Sequence, residues 1–148
     1  MNTPTDIERA ERISRRRARM FPILGIYFIA GQAVFFRQVA EAPRIAQFKI
    51  SAWLVWALVL LIAFAFAGGH FHGKKVRSLV EDEVARANRA KGYEAGFWAA
   101  AVAAIGLYVV NMFEPVTGRE AIHLILTALV GAALIRFGTL ERRALKEG

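Results

Sequence analysis

Apolar residues in this chain come in long unbroken runs, not in the short periodic stripes of a water-soluble domain. Four runs stand out, at 20–36, 50–69, 95–113 and 121–135, and the segments between them hold nearly all the charge. A helix needs about 20 apolar residues to cross a bilayer, with a lower limit of about 17, so the middle two runs qualify directly. The outer two are shorter. Arg19 before the first and Arg136 after the fourth can lay their carbon stems along lipid and lift their charge to the headgroups. The pattern predicts an all-α integral membrane protein, a four-transmembrane-helix bundle of two antiparallel hairpins in a single membrane domain, residues 1–148. The expected spans are 20–37, 50–69, 95–113 and 120–137, with a basic helix over 5–19 ahead of the first.

Local signals refine these elements. Thr5-Asp6-Ile7-Glu8 has the form of a capping box, in which hydroxyl and carboxylate each accept the other residue's backbone amide, so a helix should start there. Pro22 falls in the first turn of span one, where a missing amide costs little, and is read as marking a start. The segment 37–49 is read as a turn on the outer surface, and Gly68-Gly69 should end span two. Beyond it, Val76, Leu79, Val80, Val84 and Ala87 recur at steps of three and four, which gives one apolar stripe on a helix. Arg77 with Glu81, and Asp82 with Arg86, face the other way at i,i+4 spacing. A cytoplasmic amphipathic helix over 76–94 should therefore run on into span three. Its stripe is wider than a solvent-facing helix needs, so those five apolar residues form the candidate partner-docking face.

Span three repeats small residues every fourth position, at Gly92, Gly96, Ala100 and Ala104. Lipid is as apolar as leucine, so membrane helices associate where small side chains let backbones approach. Span three is accordingly expected to be the central, most buried helix, with span four offering Ala128 and Ala132 as a matching edge.

Charge sets the orientation. Of the 20 Lys and Arg, sixteen lie before span one, between spans two and three, or after span four; Arg37, Arg44, Lys49 and Arg119 alone occupy the other connections. Lys and Arg are retained on the cytoplasmic side, so both termini should be cytoplasmic and the location a multi-pass one in the cell inner membrane. Basic residues segregated this way account for the net charge of +8 through topology and headgroups, and direct nucleic-acid binding is not expected. The first run is read as uncleaved, because apolar residues continue past the small residues at 30–33 to Phe36. There is no cysteine, so disulfides and thiolate metal sites are excluded.

Polar residues placed by depth give one candidate constellation. Gln32, Ser51, Tyr108, Asn111 and His123 all fall near the outer ends of their spans. They could line a shallow ligand-sensing pocket in which His123 changes charge near neutral pH, or simply form interhelical hydrogen bonds that fix the register of the bundle. The inner half of the bundle lacks the ionisable groups that carriers place near the midplane. His70 and His72 diverge on a helix and lack further ligands for a tetrahedral metal site, while Glu81-Asp82-Glu83 has the look of a solvated face. No catalytic, cofactor or metal residue is expected, and the chain is not expected to be an enzyme.

The leading expectation is a non-catalytic small inner-membrane protein, a sensor, regulatory or docking protein. It would bind a protein partner, such as a transcriptional regulator, through its cytoplasmic face. The alternatives are a small oligomeric transporter or channel, and an accessory subunit of a larger membrane complex. The lipid bilayer is the one partner the pattern demands, and a homo-oligomer stays open.

Overall fold

The structure, a computed structural model, describes residues 5–37, 43–66 and 83–147. The described residues are all-helical, forming four helices: α1 Asp6–Arg37, α2 Pro43–Ala65, α3 Glu83–Val110 and α4 Gly118–Glu147. By length and composition α3 and α4 could each cross a membrane, and α2 carries a shorter apolar stretch, Ala52–Ala65.

The basic segment and the first apolar run are one helix, 32 residues long, with Pro22 in its interior. Pro22 therefore does not mark a helix start, and the reason it is tolerated lies on α4. A proline lacks the amide that would bond the carbonyl four residues back, here that of Ala18. Arg142 supplies the missing donor: its Nε donates to the Ala18 carbonyl at 2.9 Å. One turn earlier on α4, Gly138 leaves room for the pyrrolidine ring, since a Cβ there would collide with Pro22 Cδ and Cγ.

Helix α2 starts at Pro43, with proline where its missing amide is harmless, so residues 43–49 are helical and not the expected surface turn. Arg89 of α3 closes the other end of α2, its Nη1 donating to the Ala65 carbonyl at 2.9 Å, where exposed carbonyls favour a cation. Helix α3 is continuous from Glu83 through 94 into the apolar run. It stops at Val110, so 111–113 form a turn. Capping boxes begin two helices. Thr5 and Glu8 exchange bonds as expected (3.0 and 3.4 Å), and Thr117 and Glu120 do the same (3.0 and 3.3 Å) ahead of α4.

The central helix is α4, not span three. Of the apolar window in α4, 44% is buried, against 6% in α3. Its Val130, Ala133, Leu134 and Phe137 form a core with Phe28 of α1 and with Ala57, Leu60 and Phe64 of α2. Phe21, Phe64 and Phe137 meet edge to face, with centroids 5.3–6.4 Å apart, an arrangement aromatic quadrupoles favour.

Small residues work on both sides of α4. Gly131 and Gly138 admit Ile29 and Pro22 of α1, and Gly25 of α1 lies against the Gly131 carbonyl. A Cβ at Gly92 of α3 would stand 3.2 Å from the Ala133 carbonyl, and one at Gly96 2.9 Å from that of Leu129. Span three is small on one face only. Ala100 is half-buried, Ala104 is exposed, and the edge that Gly92 and Gly96 meet is Leu129, Ala133 and Phe137, not Ala128 and Ala132.

Candidate functional site

Two polar stations lie at opposite ends of α4. The first is at the end carrying the 110–118 turn. His123 is 4% exposed, and its ring lies against Trp53 of α2 with centroids 3.9 Å apart. Phe28 of α1 stacks at 6.0 Å from the same indole, so one stack joins three helices. The Trp53 Nε1 hydrogen is buried without an acceptor among the described residues. Thr127 turns its hydroxyl back to the His123 carbonyl, 2.7 Å away, a bond that satisfies a polar group inside an apolar helix.

The other members of the expected outer layer do different things. Asn111 is exposed, and its Oδ1 accepts the Val116 amide at 2.8 Å, closing the turn between α3 and α4. Tyr108 is 74% exposed. Gln32 and Ser51 lie in α1 and α2, with their side chains outside the described part of the structure.

The second station lies at the end carrying both termini, and no sequence pattern announces it. Arg17 of α1 and Glu141 of α4 form an ion pair with side chains 5% and 6% exposed. Arg17 Nε and Nη2 both donate to Glu141 Oε2, the former at 2.9 Å. Asn88 of α3, also buried, donates its amide to Glu141 Oε1 at 3.0 Å. The guanidinium carbon lies 5.3 Å from the centre of the Phe137 ring, which adds a cation–π contact. Three helices are thus tied through one carboxylate, both of whose oxygens are used. In sequence Arg17 belongs to a basic run and Glu141 to a charged tail, and each reads as a solvated residue.

Of the expected docking face, Val84 and Ala87 lie exposed on the first turns of α3. Val76, Leu79 and Val80 lie outside the described residues, as do His70 and His72. Among the described residues no group of three or more His, Cys, Asp or Glu could hold a metal. The arrangement clamps three helices to one another. No protein-family model, curated protein or solved structure matches the chain.

Proposed function

We propose that the chain is a four-span inner-membrane protein, both termini cytoplasmic, and that it is a non-catalytic docking protein for a soluble regulatory partner. The observation that carries the membrane part is the surface of α3. Phe97, Trp98, Val102 and Ile105 are each more than 60% exposed, and four large apolar side chains on one helix, with more on α1 and α2, require a nonaqueous neighbour. Depth agrees with this. His123 and Glu141 are 18 residues apart, about 27 Å at the helical rise of 1.5 Å per residue, close to the roughly 30 Å of bilayer hydrocarbon. In this reading α3 and α4 form an antiparallel hairpin, α1 and α2 the other, and the Arg17–Glu141–Asn88 clamp sits at the cytoplasmic headgroup level.

The docking part rests on Val84 and Ala87, exposed on a stretch of α3 that also carries Arg86, Arg89 and Lys91 and therefore projects below the lipid. Apolar residues in that position are better covered by protein than by water. The clamp would hold this stretch at a fixed angle to the two termini, giving a partner a rigid platform.

The test is site-specific photocrosslinking from residue 87 in intact cells. One soluble protein should be captured there, none from the lipid-facing position 102, and Val84→Asp or Val80→Asp should abolish capture without changing expression. Capture unaffected by either aspartate removes the docking reading. Solute flux through liposomes holding the purified protein would replace it with a transporter.

A further inference from the structure

We infer that the cytoplasmic ends of α1 and α4 form a binding site for an anionic lipid headgroup that carries two phosphates. The inference rests on the bilayer reading above. Between the two helices lies an open concavity of about 590 Å³. Arg15 and Arg19 enter it from successive turns of α1, and Arg142, Arg143 and Lys146 from the last turns of α4, with no carboxylate among the described residues of its wall.

Two of the five charges are already engaged. Arg15 pairs with Glu11 at 2.5 Å, and Arg142 is held by the Ala18 carbonyl that Pro22 leaves open. Arg19, Arg143 and Lys146 have no acidic partner among the described residues. Three cations without an acidic partner among the described residues, set around one depression, are served poorly by a headgroup with a single negative charge, and a two-phosphate headgroup comes nearest to neutralising them.

The rim gives the second reason for a lipid source. Ile23 and Leu145 border the concavity at 60% and 40% exposure, and Ile23 is continuous with the exposed Ile26 and Tyr27 on the apolar flank of α1. A phosphate here would sit above an apolar wall along which acyl chains can run. A soluble phosphate would gain nothing from that wall. The site is also rigid, since the buried Arg17–Glu141 pair and the Arg142 bond fix the two helices against each other directly behind it.

The test uses the full chain in phosphatidylcholine nanodiscs doped with diphosphatidylglycerol, or with twice the molar amount of phosphatidylglycerol so that phosphate is equal. Lipid retained by the protein after transfer to detergent is read by native mass spectrometry. Diphosphatidylglycerol should be retained preferentially. The variant Arg19→Gln/Arg143→Gln/Lys146→Gln should lose affinity on the order of 100-fold, as expected for three basic residues at an anionic surface. These side chains have no acidic partner to lose among the described residues, so its thermal stability in detergent should match the parent. The variant Arg86→Gln/Lys91→Gln/Arg119→Gln removes the same charge at other exposed positions and should bind as the parent does. Equal retention of the two lipids, equal losses in both variants, or displacement of the lipid by stoichiometric pyrophosphate would each overturn the site. Failure to enter nanodiscs at all would refute the bilayer reading itself, whereas entry without lipid preference would refute this inference alone.

Discussion

Glu141 is the side chain on which most depends. A buried carboxylate is expensive to desolvate, and what compensates it here is specific: two guanidinium hydrogens on one oxygen and the Asn88 amide on the other. Removing one member of a buried pair leaves the other charge uncompensated, which typically costs about 3–5 kcal/mol, while replacing both by apolar groups of similar size is often neutral. Glu141→Ala should therefore destabilise the protein by that amount, because it removes the carboxylate to which Arg17 Nε and Nη2 and the Asn88 amide all donate. Arg17→Met/Glu141→Leu should recover most of the loss, with Asn88 the remaining unsatisfied group. Thermal unfolding in detergent measures both. If Glu141→Ala melts with the parent, the pair is hydrated and the clamp does not hold the helices.

At the scale of elements, α1 depends on α4 through Pro22. An interior proline ordinarily disrupts a helix by about 3 kcal/mol or more. Here one face of α4 offsets it twice, with Gly138 making room and Arg142 bonding the stranded carbonyl. Gly138→Ala should cost about 1–3 kcal/mol, the range for overpacking. Adding Pro22→Ala should reverse most of that loss, since it removes the ring and restores an amide for Ala18. Gly106→Ala, where a Cβ would meet nothing within 4 Å, is the control for the helix-propensity gain alone and should not lower the melting temperature. Equal melting shifts for Gly138→Ala with and without the Pro22→Ala change would mean that the collision is not with the proline.

The same example explains what the amino-acid pattern can and cannot reveal. Helices and capping boxes are legible because their causes lie within four residues. Thr117-Gly118-Arg119-Glu120 is as readable as Thr5-Asp6-Ile7-Glu8, and its pattern could have placed the start of α4. Pro22 misleads because the group that satisfies Ala18 is 124 positions away. Small residues locate the close approaches of α3 but not which helix is central. That depends on α4 being approached closely on two faces, with its own glycines admitting α1 and the glycines of α3 lying against its Leu129 and Ala133 carbonyls. Position along a span suggests a common depth for the polar residues, but it does not give azimuth. His123 points inward to Trp53 while Tyr108 is exposed. Asn88 and Glu141 are illegible for the same reason, because on their own helices they resemble the charged residues around them.

At the scale of the whole molecule, the described residues put an ion pair inside beside the apolar core and many large aromatic and branched side chains outside. In water that surface would drive aggregation; in lipid it costs nothing, and the buried charges then mark the headgroup level instead of a defect. The absence of cysteine makes the point directly testable, because any introduced thiol is unique. A maleimide reagent that cannot cross membranes requires a thiolate, and a thiol held in hydrocarbon does not ionise. In intact right-side-out cells Val116→Cys should be labelled at once. Leu145→Cys should be labelled only after the membrane is permeabilised, and Val102→Cys should resist labelling under both conditions until the protein is denatured. Val102 is 68% exposed, more than Leu145 at 40%, so exposure to water alone would make Val102 the more reactive of the two. The reversed order requires that α3 be shielded from water, as the proposed bilayer would shield it, and rapid labelling at 102 would show that water is its neighbour.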